Sequence, residues 1–364
     1  EESAPPSPTP GKKTPGLITF DLDDTLYPVS PVFVDANSAF ASAMSTHGYG
    51  DIRPNDIAET GRRIREEVSE RDPAEAAALT FTETRMRAIR RQMENVNLAK
   101  GLEEVAKDWA TPVSALNPVV VESCRKFASA EVSPSVVQAV YNAWEMERHH
   151  SAERNVYPEV LEVLQSIKDN HPGVVIGAVT DGRADPLLMP FTLAKYFDFC
   201  VNWEDDQGGR TKFFQELNEA ESGDLTWIYQ AALDKYRMLS KGRRSLRRKG
   251  KDCDLADPEC VAEADDVWIH VGDDLAYDVG GSASCGARTV LMELDDKYGQ
   301  TERLRGDGTK DKRPEWDLES KADVERRREM NAVAEGKVDA RVNFVGRLPE
   351  AIDDILEAVA ESRA

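Results

Sequence analysis

Leu17-Ile18-Thr19-Phe20 runs straight into the acidic turn Asp21-Leu22-Asp23-Asp24-Thr25, and twice more along the chain a short apolar run stops at an acid. Val174 to Thr180 ends at Asp181-Gly182, and Val267 to Gly272 ends at Asp273-Asp274. Apolar runs this short are strands of a sheet covered on both faces. Helical stretches separate them, and strand and helix in alternation imply an α/β fold with a parallel, doubly wound sheet. Such sheets bind ligands in the crevice beyond the carboxyl ends of their strands. All three acidic turns fall there.

Asp21 and Asp23 share a direction only while the chain stays extended, so a strand ending at Phe20 aims both carboxylates into one crevice. Two acids divide the chemistry of a phosphate ester between them. One carboxylate attacks phosphorus, and the other protonates the leaving oxygen and then deprotonates water. Clustered acids repel each other, and a hard divalent cation relieves that, Mg²⁺ being the usual one beside phosphate. The plain alternative is an acidic turn that caps a loop. At the second strand end the Thr180 hydroxyl and the N–H groups of Asp181 and Gly182 can all donate to an anion; taken alone they read as a turn that ends the strand, and after the first acidic turn as an anion-binding one. At the third, Asp273 and Asp274 reach the crevice and Asp278 follows at the start of a helix. Capping of that helix is the bland reading of these acids. Beside Asp21 and Asp23, a shared metal site is the economical one. His270, one strand step below, reads as a core residue.

Phe20-Asp21-Leu22-Asp23-Asp24-Thr25-Leu26 resembles the first motif of haloacid dehalogenase-type phosphohydrolases. Thr180-Asp181-Gly182 resembles their second, and Gly272-Asp273 with Asp278 their fourth. For the third, a lysine, Lys212 has the closest position, with Arg210 as substitute; Phe213 stands where a proline usually follows. The resemblance implies Asp21 as nucleophile and Asp23 as acid and base. It implies Thr180, Asp181, Gly182 and Lys212 around the phosphoryl group, and Mg²⁺ held by Asp21, the Asp23 carbonyl and Asp273, with Asp274 and Asp278 in support. It also implies that the helical block after the first motif is a cap domain, whose closure removes water from the site and selects the leaving group. Leu79-Thr80, Arg85, Ala88-Ile89-Arg90 and Met93 look like part of the cap in the subgroup acting on 5-amino-6-(5-phospho-D-ribitylamino)uracil and flavin mononucleotide. Carbon–halogen hydrolysis shares the scaffold but has no use for a second acid with a metal. A catalytically idle, protein-binding member is the other alternative.

The resulting expectation is a disordered, Pro- and Ser-rich leader over 1–16, a catalytic core from 17–27 and 155–364, and a helical cap over 28–154. Within the cap, Met86, Ile89, Met93 and Val96 recur at helical spacing, and the arginines between them read as a solvated face. Residues 241–266 are a block of basic and then acidic residues, read as a solvated loop, and 295–336 is too polar for a core apart from a charged helix over 322–334. A net charge of −21 disfavours nucleic acid and anionic membranes as partners, and the resemblance implies a small-molecule phosphate ester. No apolar run approaches the length of a membrane span, and five scattered cysteines suit a reducing compartment, so a soluble intracellular protein, of cytoplasm or organelle, is expected.

Overall fold

The computed structural model describes residues 15–204, 227–247, 267–301, 314–318 and 321–362. The chain divides into two compact units. One comprises Glu1–Val29, Asn155–Asp311 and Arg326–Ala364, the other Ser30–Arg154 with Lys312–Glu325.

The first unit is built on β1 (Pro15–Phe20), β2 (Val175–Thr180), β3 (Phe199–Asn202), β4 (Val267–Gly272), β5 (Arg288–Met292) and β6 (Ala340–Val342). All five pairings are parallel, in the order β3-β2-β1-β4-β5-β6. From β1 the sheet grows outward through β2 and β3, then restarts on the other side of β1 with β4. The crevice at such a reversal lies between the ends of β1 and β4, where the chain turns away on both sides. Register puts Phe20 level with Ala178 and with Val271, so the residues after all three strands leave the sheet at one edge.

β1 begins at Pro15, two residues inside the expected leader, with a register irregularity between Pro15 and Leu17. Proline is tolerated as the first residue of a strand, where its missing N–H costs no ladder bond. Leu17, Val175, Val179, Val201 and Trp268 form one apolar cluster with Trp227, Ile228, Tyr229 and Ala232. These last four open the helix Trp227–Arg247, which runs into the basic stretch expected to be a loop. A Cβ on Gly177 would come within 2.3 Å of the Phe199 ring, so any larger residue there would have to displace that ring. The helix Val160–Asn170 buries Val160, Val163, Leu164 and Ile167, and the helix Leu348–Ser362 buries Ile352, Ile355, Leu356 and Val359. Both are stripes at helical period, and each such side chain contributes about 1.5–3 kcal/mol.

The second unit carries α1 (Val29–Thr46), α2 (Asp56–Arg71), α3 (Pro73–Ala78), α4 (Phe81–Asp108), α5 (Pro118–Ala130) and α6 (Pro134–Arg154). Thr84, Ala88, Ile89 and Met93 are the buried face of α4, while Arg87, Arg90 and Arg91 pair at the surface with Glu75, Glu94 and Glu67. Arg85 lies over the ring of Trp144, 4.1 Å from its centroid. Expected to belong with the sheet, 314–318 instead lies in this unit. Trp316 stacks on Phe33 at 4.8 Å and Leu318 packs against Gly61, so two apolar side chains decide the placement of a polar segment. Thr80 starts α4 with a capping box, accepting from Glu83 N while Glu83 Oε2 accepts from Thr80 N, both at 2.9 Å. Thr80→Ala is expected to cost about 1 kcal/mol in urea unfolding by leaving the Glu83 N–H without its acceptor.

Candidate active site

The ladder extends one residue past β1, Asp21 N donating to Val271 O at 2.9 Å, and this carries Asp21 to the edge of the sheet beside β4. The chain then folds back on itself, Leu26 N donating to Leu22 O and Asp24 N to Tyr27 O. Asp24 takes the left-handed conformation at φ 59°, unusual without glycine but tolerated by aspartate, and its side chain leaves the direction of its neighbours. Its Oδ1 accepts from Val29 N at 3.0 Å and Thr301 N at 3.1 Å, and its carbonyl from Gln300 Nε2 at 2.9 Å. Asp24 therefore ties the turn down and leaves the chemistry to Asp21 and Asp23, both buried.

After β4, Asp274 caps a π-helical turn over Leu275–Gly281, its Oδ1 accepting from Ala276 N at 2.9 Å and Tyr277 N at 3.1 Å. That turn brings Asp278 back over Gly272, so closely that a Cβ on Gly272 would occupy the Asp278 carboxylate. Asp278 Oδ2 accepts from Asp274 N at 2.9 Å. Carboxylate oxygens of Asp21, Asp273 and Asp278 lie within 4.8 Å of one another, all buried. Thr25 Oγ1 sits between two of them, 3.5 Å from Asp21 Oδ2 and 3.4 Å from Asp273 Oδ1.

A buried polar chain supports Asp278 from within the sheet. Trp268 Nε1 can only donate, and it donates to Thr19 Oγ1 at 2.8 Å. The single Thr19 proton is then left for His270 Nδ1, also at 2.8 Å. On the other side of the ring Nε2 lies 3.3 Å from Asp278 Oδ1, a carboxylate oxygen that only accepts, so a proton on Nε2 donates there and leaves Nδ1 to accept from Thr19. Tyr229 OH stands 3.3 Å from the same oxygen and 2.8 Å from Tyr277 O. Burial, and then the charge of Asp278, push the Tyr229 hydroxyl well above the usual tyrosine range, so it stays a donor.

Burial, and then the carboxylates of Asp278, Asp273, Asp181 and Asp23, hold Asp21 well above the usual aspartate range. Like charges this close, taken out of water, do not all ionise without a counter-charge. The donor set consists of carboxylate oxygens, which fits a hard divalent cation. Asp278 has joined that set beyond its expected supporting role, and Asp274 serves as a cap.

Thr180 ends β2 with its hydroxyl buried and without a hydrogen-bond partner among the described residues. Asp181 and Gly182 follow half-buried, Asp181 within electrostatic reach of Asp21. Lys212 and Arg210 lie outside the described residues. A cation not expected from the sequence stands at the acids instead. Arg327, on the helix Lys321–Ala334, is buried and paired through Nη1 with Asp274 Oδ2, its guanidinium 4.6 Å from the Tyr277 ring centroid. It is one of three consecutive arginines, and the signal that separates it is spacing: Arg327, Asn331 and Ala334, at i, i+4 and i+7, are all buried.

No family model matches the chain. Among curated proteins, the uncharacterized protein YMR130W of Saccharomyces cerevisiae is 28% identical over 144 residues, which is 40% of this chain and 40% of that protein's length. Three solved structures cover nearly the whole chain. A 2-haloacid dehalogenase from Pseudomonas syringae pv. Tomato DC3000 is 17% identical with a TM-score of 0.44, matching 93% of this chain and 98% of its own. A haloacid dehalogenase-type phosphatase from Thermococcus onnurineus is 14% identical with a TM-score of 0.38, over 92% and 96%. A haloacid dehalogenase-like family hydrolase from Xanthomonas campestris is 13% identical with a TM-score of 0.36, over 96% and 99%. All three carry names of the haloacid dehalogenase type.

Proposed function

We propose that the protein is a Mg²⁺-dependent phosphomonoesterase acting on a small phosphorylated metabolite. The observation that carries this reading is the convergence of Asp21, Asp273 and Asp278 from two distant strand ends onto one buried point, with Asp23 and Asp181 in electrostatic reach. An Asp21 oxygen attacks phosphorus while Asp23 gives its proton to the departing alkoxide, leaving an aspartyl-phosphate and a free alcohol. Asp23, now a carboxylate, takes a proton from water. The resulting hydroxide attacks the same phosphorus, and orthophosphate leaves as Asp21 is restored.

Asp21, Asp273 and Asp278, with the Asp23 carbonyl, would hold the cation. Mg²⁺ bound there supplies the positive charge that keeps Asp21 ionised and offsets the charge of the phosphoryl oxygens. The Thr180 hydroxyl, a buried donor in want of an acceptor, and the N–H groups of Asp181 and Gly182 suit those oxygens. Lys212 is proposed to add a further positive charge there. Carbon–halogen hydrolysis would leave this concentration of acids unused. The test is a panel of sugar phosphates, nucleotides, riboflavin-pathway phosphates and flavin mononucleotide, assayed with Mg²⁺ and after exhaustive chelation. Turnover that depends on Mg²⁺ supports the reading. Turnover indifferent to chelation, or none on the whole panel, overturns it.

A further inference from the structure

The acidic crevice holds Asp21, Asp23, Asp273, Asp274 and Asp278, all buried, and a phosphate ester brings further negative charge into it. Among the described residues the buried cation at these acids is Arg327, and it comes from a part of the chain that none of the strand-end motifs include. The helix that carries it is charged along most of its length. The side chain of Arg328 is exposed, whereas Arg327 is turned inward with Asn331 and Ala334. Its guanidinium pairs with Asp274, lies over Tyr277 and is felt electrostatically by Asp181 and Asp273. It therefore faces the second and the third strand end together. Guanidinium stays protonated even when desolvated, so this is a fixed charge.

We propose that Arg327 is the positioning residue that sets the electrostatic balance of the crevice, opposing the cation and favouring the anion, with Asp274 as its counterweight. This rests on the phosphatase reading for the anion but not for the cation. The two members act in opposite directions. Arg327 lowers the affinity of the crevice for Mg²⁺ and raises it for a phosphoryl group, and Asp274 does the reverse. Asp274 also caps the π-helical turn, a duty that asparagine can keep because its Oδ1 accepts the same two N–H bonds.

The experiment is calorimetric titration of the full chain with Mg²⁺ alone, then with orthophosphate in saturating Mg²⁺, for the wild type, Arg327→Met, Arg327→Lys, Asp274→Asn and the Met/Asn double variant. Arg327→Met is expected to bind Mg²⁺ at least about threefold more tightly and orthophosphate at least about tenfold more weakly. Asp274→Asn is expected to shift both in the opposite sense, Arg327→Lys to change neither by more than about twofold, and the double variant to return towards wild type. A merely structural pair would weaken both ligands together in both single variants, and that result overturns the proposal. Should Arg327→Met fail to fold, Asp274→Asn decides alone: weaker Mg²⁺ binding together with tighter orthophosphate binding supports the proposal, and any other result overturns it. A wild type that binds Mg²⁺ but neither binds orthophosphate nor turns over any ester defeats the phosphatase reading, and the Mg²⁺ titrations then still judge Arg327.

Discussion

Asp21→Asn is expected to lower phosphate-ester hydrolysis at least ~10³-fold, roughly 4 kcal/mol of transition-state stabilisation, while making the metal-free protein more stable. The first effect follows from the mechanism, since the amide oxygen is no nucleophile towards phosphorus. The second follows from the site's electrostatics. Asp21 is held above the usual aspartate value of 3.8 by burial and by Asp278, Asp273, Asp181 and Asp23. Between that value and the raised one, the folded protein binds more protons at Asp21 than the unfolded chain does. Stability therefore falls as pH rises through this window. Asparagine has no proton to lose, so the variant lacks that decline. Urea unfolding in chelator at about pH 5 and about pH 8 measures it: the wild type should lose stability relative to Asp21→Asn at the higher pH. Undiminished hydrolysis would end the proposed mechanism, and parallel pH slopes would mean that Asp21 is ionised without help. Function and stability pull against each other here, as they do where reactive groups are concentrated.

Much of the sheet was legible because strands buried on both faces leave short apolar runs, and β1, β2 and β4 are such runs. What ends each run was legible too, because an acid directly after a buried strand has only the sheet edge to occupy. Partnerships across the sheet were not. Thr19 and His270 stand 251 residues apart and are made neighbours only by the pairing of β1 with β4, so His270 read as an ordinary core residue. Adjacent acids were equally opaque. Asp23 and Asp24 are chemically identical, and only the left-handed backbone at Asp24 turns one of them into a structural tie. The helix Trp227–Arg247 overran its expected end because lysine and arginine are good helix formers and suit a helix C-terminus. Arg327 was hidden for a related reason: in a run of arginines, composition does not say which one the packing turns inward.

The polar chain behind Asp278 gives the second large effect, on stability. Thr19→Val is expected to cost about 2–4 kcal/mol in urea unfolding at unchanged m value. Shape and strand propensity predict otherwise, since valine has nearly the volume of threonine and is at least as good in a strand. The hydroxyl decides. It accepts from Trp268 Nε1 and donates to His270 Nδ1, both at 2.8 Å. Without it a buried donor and a buried acceptor lose their partners together, and each such group costs about 1–3 kcal/mol. The consequence also reaches the crevice. Once Nδ1 has no donor facing it, the ring is held only through Nε2 and the Asp278 carboxylate, and the bond that orients Asp278 Oδ1 loses its support from behind. Nitrogen-15 spectra of the His270 ring should therefore show the Nδ1 resonance move towards that of an unbonded acceptor in Thr19→Val. A loss of less than about 0.5 kcal/mol, the range of an indifferent surface change, would show that the chain from Trp268 to Asp278 is not what holds the acid in place.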